Sequence, residues 1–373
     1  MKVDKTKWGK KTLGEVCKLY QPQTIATNSL QPTGKYLVYG ANGVIGRYNA
    51  YNHESPEVLI TCRGATCGTI NISKPFSWIN GNAMVVHPKE ENVFDFTFLG
   101  RVVSAIDYSK VITGAAQPQI TVTNLRKILI SIPPLCDQQI IVAELNSIQT
   151  MIDGYNALLE DLDALAQSIF MEMFGDPLDN PKGWKKDLLE NIVHSKCAIS
   201  YGIVQPGEDE ENGIPVIRPV DLTSTYVSLK GLKKVSPSIS NNYRRTILRG
   251  DEILLCVRGT TGIVSLATEE LKGCNVTRGI VPLYFDSQNR WFIYYCFKSS
   301  GINNEIQKHT KGATLKQINI GELRRISFPI PPLHLQQQFA KQVEAIEKQK
   351  DLLREQLKDA ETLMAERMQY YFS

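Results

Sequence analysis

No apolar run in this chain approaches the roughly 20 residues needed to cross a bilayer. The opening stretch, MKVDKTKWGKK, also lacks the apolar core of a secretory signal. Both absences point to the cytoplasm and away from a membrane. Cysteine is sparse, eight in 373 residues, and scattered singly at positions such as Cys17, Cys136, Cys197 and Cys296. The closest two, Cys62 and Cys67, have four residues between them and no matching second pair. That spacing indicates neither a zinc knuckle nor a disulfide framework, so buried reduced thiols are expected. The five histidines (53, 87, 194, 309, 334) include no His-x-x-x-His and have no Cys-x-x-Cys for company.

Catalytic signatures are missing too. No Gly-x-x-x-x-Gly-Lys-(Ser/Thr) phosphate loop is present. No Pro-Asp dipeptide occurs to anchor the usual metal-binding nuclease motif. An adenine methyltransferase needs an (Asp/Asn)-Pro-Pro-(Tyr/Phe) loop. The two Pro-Pro pairs here read Ile-Pro-Pro-Leu and lack the polar residue that would accept amino hydrogens. The net charge, +4, is mild, and 42% hydrophobic with 21% charged residues is ordinary for a soluble protein. A nucleic-acid partner usually shows as a concentrated basic face. Concentration is available here, because many acids (Glu160, Asp161, Asp163, Glu344, Glu347, Asp359, Glu361) fall in two helical stretches and leave the rest more basic.

What is present is a repeat. From Thr113 the chain reads TGAAQPQITVTNLRKILISIPPLCDQQ, and from Lys311 it reads KGATLKQINIGELRRISFPIPPLHLQQ. The copies align without a gap, Gly114 falling on Gly312 and Pro133 on Pro331, with roughly half the positions identical. Each then enters a long helical pattern. In the first, Ile141, Leu145, Ile148, Ile152, Tyr155, Leu159, Leu162, Ala166, Ile169 and Met173 alternate in steps of four and three, the seam of a coiled coil. Such a helix would be on the order of 55 Å long at 1.5 Å per residue. Pro133-Pro134 suits the threshold of a helix, where no N–H is needed, and Asp137 favours the positive end of its dipole. Gly154 sits mid-pattern as a tolerated weak point that costs about 1 kcal/mol relative to alanine. The second seam runs Phe339, Val343, Ile346, Lys350, Leu353, Leu357, Ala360, Met364, Arg367 and Tyr371. Lys350 is a candidate for setting register or snorkelling outward, and Arg367 for a frayed end.

Before each helix lies a block of short β-branched and aromatic runs broken by glycine, proline and asparagine, which read as strands and hairpins. In the first block, NVFDFTFLGRVVSAIDYSKV supplies a helix. The second block starts GWKKDLLENI, echoing Trp8 and its lysines, and its LLCVRGTTG echoes the first block's LITCRGATCG. Elsewhere the blocks diverge. The expected fold is mixed α/β (α+β), with two strand-rich domains alternating with two long antiparallel coiled-coil helices in a pseudo-two-fold repeat. The boundaries read as domain 1–132, helix 133–175, linker 176–183, domain 184–330 and helix 331–373.

Two unlike globules held apart by a rod of fixed length suit an asymmetric, bipartite DNA site. The chain resembles the specificity subunit of Type I restriction-modification enzymes over nearly its whole length. The resemblance is carried by the twin IPPL-x-x-QQ helix starts (132–139 and 330–337), the Gly-Ala loops at 114 and 312, the two coiled-coil segments and the FGDPLDNPKGW linker. It implies that each globule is a target recognition domain reading one half of a split sequence in double-stranded DNA. It also implies that the helices set the spacer and dock two adenine-N6 methyltransferase subunits, which restriction nuclease-translocase subunits then join. Catalysis, ATP and S-adenosylmethionine would belong to those partners, leaving this chain without cofactor or metal. One departure is Leu335 where the family carries an acid before the first glutamine. Asp137 keeps the acid in the first copy only, which leaves any contact it makes in question at the second helix.

Arginine and lysine suit phosphates and guanine edges, while asparagine and glutamine suit adenine. The candidates in block one are Asn42, Arg47 and Tyr48 in a glycine-rich hairpin, and Arg63 and Thr66 in the Arg-Gly-x-Thr loop. Block two offers Arg218, Tyr243, Arg244, Arg245, Arg258, Thr260, Thr261 and Arg278, and the repeated loop offers Gln119, Lys316 and Gln317. Leu158, Leu165, Leu352 and Leu363 fall off the seams, as a partner-docking face would. Two rival readings are a coiled-coil scaffold for protein partners alone and a nuclease or methyltransferase with a drifted motif. Salt-sensitive, sequence-dependent DNA binding separates the first, and turnover by the purified chain the second.

Overall fold

The computed structural model describes residues 3–90, 92–114, 117–312 and 316–373. Ala115 and Ala313 of the repeated Gly-Ala loops lie outside these. Two helices of 40 residues dominate, Leu135–Phe174 and Leu333–Phe372, each about 60 Å long. Both start directly after a Pro-Pro pair, and every predicted seam position in them is buried or half-buried.

Packing divides the chain into two compact units, Met1–Asn156 with Glu355–Ser373, and Ala157–Arg354. The sequence boundaries follow the elements, whereas the packing boundaries cross both long helices. Each globular core claims half of each helix. In unit 1, Ile141, Leu145 and Tyr371 join Leu13, Val58, Ile60, Met84, Phe98 and Leu99 in one buried cluster. In unit 2, Phe170, Phe174 and Phe339 join Phe292 and Tyr295, with ring centroids 4.8 Å apart for Phe174–Phe292 and 5.2 Å for Tyr295–Phe339. Within unit 2 the helices run antiparallel, because Asp163 meets Lys350 while Phe174 meets Phe339.

Unit 1 carries a four-stranded antiparallel sheet in the spatial order Cys17–Tyr20, Ala83–Pro88, Val58–Thr61, Ile70–Ile72. The hairpin Tyr36–Gly40 with Gly43–Tyr48 forms a second sheet with Trp78–Ile79. Unit 2 repeats the design with Val264–Leu266, Ile253–Cys256 and Ile280–Leu283. Beside the unit 1 sheet lies the expected helix, Phe96–Ser104, and beside the unit 2 sheet lies Arg290–Lys298, a helix the sequence reading did not single out. A two-strand clasp closes each globule onto its long helix: Gly9–Thr12 on Leu129–Ile132, and Lys186–Leu188 on Ser327–Pro329.

The repeated glutamines explain how each helix is seated. Gln138 is fully buried, accepting from the backbone N–H of Asp95 at 2.8 Å and donating to the carbonyls of Val93 and Pro133 at 2.9 Å. Gln336 does the same in unit 2, accepting from the N–H of Asn289 at 2.8 Å and donating to the Pro331 carbonyl at 2.9 Å. Asp95 and Asn289 are themselves the N-caps of the globular helices. One amide thus ties two helix starts together in each unit, with or without the neighbouring acid.

One expectation is corrected. Arg367 is not part of a frayed end, since its guanidinium lies 2.9 Å from Glu144, which also accepts from the Tyr371 hydroxyl at 2.5 Å. Burial, and then the Glu144 carboxylate, push the Tyr371 phenol up to about 12, so it remains a donor at neutral pH.

Candidate nucleic-acid interface

Two features that are far apart in sequence meet in both units. In unit 1 the strand Val58–Thr61 runs into Cys62 and Arg63, whose backbone bridges to Gln119 of the repeated loop. The Ile120 N–H donates to the Cys62 carbonyl at 3.1 Å, and the Gly64 N–H donates to the Pro118 carbonyl at 3.0 Å. In unit 2, Arg258 bridges to Gln317, the Ile318 N–H donates to Val257 at 3.1 Å, and the Gly259 N–H donates to Lys316 at 2.8 Å. The Arg-Gly-x-Thr loop and the glutamine loop are therefore one surface, built twice.

The glycines are required by this geometry. Gly64 and Gly259 take φ of +91° and +89°, and Gly68 and Gly262 take +95° and +93°. A side chain at any of the four would sit in the left-handed region, at a cost of about 1 kcal/mol or more. The second glycine of each pair closes the loop by donating its N–H at 2.9 Å, Gly68 to Thr61 and Gly262 to Cys256.

Arg63, Thr66 and Gln119 are exposed on the unit 1 surface. Asn42 is exposed at the hairpin tip, and the Thr61 hydroxyl donates to the carbonyl of its neighbour Ala41, so the tip adjoins the Arg63 loop. Arg47 and Tyr48 lie at the other end of the six-residue strand Gly43–Tyr48. The Arg47 guanidinium donates to the Gly34 and Lys35 carbonyls at 3.3 and 3.4 Å, and the Tyr48 ring meets Trp78 edge-on at 5.6 Å. Both side chains are occupied by their own sheet and do not join Arg63 and Gln119.

Unit 2 gathers more of its candidates around a residue that sequence reasoning missed, Tyr201. Its hydroxyl donates to the Ile318 carbonyl at 3.2 Å and accepts from the Gln317 amide at 2.9 Å. The Arg278 guanidinium lies 6.0 Å from its ring centroid. Tyr201 also lines a polar cavity with Asn242, Tyr243, Arg244 and Arg245. No local pattern marks it, because its hydrogen-bond partners lie more than a hundred residues away. Two candidates stand apart. Thr261 is buried, its hydroxyl 3.3 Å from the Gln307 amide oxygen and 3.2 Å from Thr310, which makes it part of the loop's foundation and removes it from the surface. Arg218 is held bidentately by Asp221, at 3.1 and 2.9 Å, and that carboxylate raises its pKa above the ordinary guanidinium value.

Among the described residues, none of Arg63, Arg244, Arg245, Arg258, Arg278 and Lys316 makes an ion pair with an acid. These cations remain available to an external anion. No group of three or more His, Cys, Asp or Glu gathers as metal ligands would, again among the described residues. Burial pushes the Cys17 thiol up to about 12 and raises Cys256 and Cys274 as well, which makes these three poor nucleophiles. Off the helix seams, Leu158 and Leu165 are each 48% exposed and Leu352 is 58% exposed, while Leu363, next to seam residue Met364, is half-buried. No helix among the described residues is long and apolar enough to cross a membrane.

Comparison with known proteins agrees with this duplicated build. The family model described as the Type I restriction modification DNA specificity domain matches residues 5–163 and again 181–362. The specificity subunit of the Type I restriction enzyme EcoBI from Escherichia coli is 25% identical over 261 residues, covering 63% of this chain and 55% of that protein. The chain thus spans little more than half of that relative's length. The putative MjaX specificity subunit from Methanocaldococcus jannaschii is 24% identical over 311 residues, 78% of this chain and 69% of its own. In fold, the crystal structure of a Type I restriction-modification S subunit from M. genitalium superposes with a TM-score of 0.61 at 15% identity, covering 100% of this chain and 98% of its own. A chain from a structural study of complex assembly in the type I restriction-modification system gives 0.58 at 18% identity, with the same coverage. With two successive matches that together span most of its length, the chain belongs to the Type I restriction modification DNA specificity domain family.

Proposed function

We propose that this chain is the DNA-reading specificity subunit of a Type I restriction-modification complex and is not itself an enzyme. It reads a bipartite, asymmetric site in double-stranded DNA, one half with each unit. Its long helices carry two adenine-N6 methyltransferase subunits, which restriction nuclease-translocase subunits join. The observation that carries this reading is the twin loop surface, an arginine bridged to a glutamine in both units, with its cations unpaired by acids among the described residues. Arginine reads guanine through O6 and N7, glutamine reads adenine through N6 and N7, and the remaining cations suit phosphates. The two copies differ where they meet DNA. Unit 1 has Pro118 where unit 2 has Lys316, and the tight turn at Ala41 and Asn42, between Tyr36–Gly40 and Gly43–Tyr48, is replaced in unit 2 by the long segment 218–232 between Ile214–Ile217 and Lys233–Val235. Unlike surfaces read unlike half-sites.

The test is methylome mapping by single-molecule sequencing in cells carrying a methyltransferase partner, with and without this chain. The expected result is N6-methyladenine in a split motif with two specified halves, present only with the chain. If the partner is active with another specificity subunit yet yields no motif with this one, the reading is wrong.

A further inference from the structure

We infer that Tyr201 is a positioning residue that fixes which way the Gln317 amide presents its donor and acceptor to a base edge. This rests on the DNA-reading assignment above and deepens it. A phenol has one proton, and that of Tyr201 goes to the Ile318 carbonyl, 3.2 Å away. With the proton committed, the oxygen can only accept. The Gln317 atom 2.9 Å from it must therefore be the amide nitrogen and not the amide oxygen.

The polarity of the glutamine is thus decided by the protein before any DNA arrives. Its backbone is fixed as well, by the bridge to Arg258. Among the described residues, what remains free is the amide oxygen and the second N–H, an acceptor and a donor side by side. That pair matches the N6 amino group and N7 of adenine in the major groove. The Arg278 guanidinium, over the same tyrosine ring, places a cation beside the reader. Unit 1 lacks this arrangement, because Gln119 is exposed and makes no side-chain hydrogen bond among the described residues. Its amide remains free to turn either way. One base of the half-site read by unit 2 is therefore recognised more strictly than its counterpart in unit 1.

The test uses the full chain with its methyltransferase partner and reads the methylated motif of three proteins: wild type, Tyr201→Phe and Gln317→Ala. Phenylalanine keeps the ring under Arg278 and removes only the hydroxyl. The expected result is that both variants lose preference at the same single base in one half of the motif, by about tenfold, with the other half unchanged. The unchanged half also reports that the variants fold. Gln317→Ala, which leaves the Tyr201–Ile318 bond in place, identifies the base even if Tyr201→Phe lowers expression. In that case binding of the purified variant complex to duplexes altered at that base supplies the comparison. If Tyr201→Phe leaves every position as in wild type, or relaxes a base other than the one Gln317→Ala relaxes, the inference is overturned alone. A wild-type chain that yields no motif overturns the DNA-reading assignment and this inference with it.

Discussion

A lysine on an apolar helix seam shows how much one residue can decide. Lys350 is 1% exposed, and its ammonium donates to Asp163 at 2.8 Å and to Glu347 at 2.7 Å. Glu347 is itself buried, with Arg354 at 3.8 Å from its second oxygen. Lys350 is buried and does not snorkel outward, so the role left to test is that of setting the helix register. A buried pair is weak evidence for stability, but breaking one leaves a charge without compensation. Lys350→Met should therefore destabilise unit 2 by about 3 kcal/mol, whereas Lys350→Met with Glu347→Leu should return to within about 1 kcal/mol of wild type. Denaturant unfolding followed by the fluorescence of Trp291, in the unit 2 core, measures both. A single variant as stable as wild type would mean that water reaches Glu347 and that the pair does not hold the register. At this scale the sequence distinguished little else. Arg47 and Arg63 look alike in a glycine-rich context, and only the Gly34 and Lys35 carbonyls separate them.

Among the elements, the long helices were legible because their signal repeats over ten seam positions and occurs twice, which local exceptions cannot hide. The clasp, the glutamine seats and the joining of the two loops were not, because each depends on contacts between distant segments. Tyr201 and Gln317 are 116 residues apart, and periodicity has no reach over that interval. The Arg-Gly-x-Thr echo was visible as a motif, but its partner, the glutamine loop, became visible only through the backbone bridges. Gly154 tests the helix reading directly. A methyl group there would meet nothing within 4 Å, and its φ is not positive. Gly154→Ala should then raise stability by about 1 kcal/mol, seen as a higher melting temperature for unit 1 by circular dichroism. A lower melting temperature would mean that the glycine serves a close helix contact.

For the molecule as a whole, the off-seam face of the long helices is the surface left for the partner subunits proposed above. Leu158 and Leu165 lie one heptad apart on the first helix, both 48% exposed, and Leu352 on the second is 58% exposed. Single exposed leucines are ordinary, but repetition at seven residues places two on one face of one helix. The seam positions between them, Leu159 and Leu162, are turned inward, so the exposed pair adds nothing to the internal packing. If this face carries the methyltransferase subunits proposed above, Leu158→Asp with Leu165→Asp should leave both units folded, with an unchanged circular dichroism spectrum, while releasing those subunits in size-exclusion chromatography of the co-expressed complex. Aspartate on an apolar contact removes the burial of two leucines and desolvates two charges, enough to lower affinity by about a hundredfold or more. Leu363→Asp is a poor version of this test, because that half-buried side chain would disturb the fold as well. If the double variant assembles as wild type does, the exposed leucines have no part in docking.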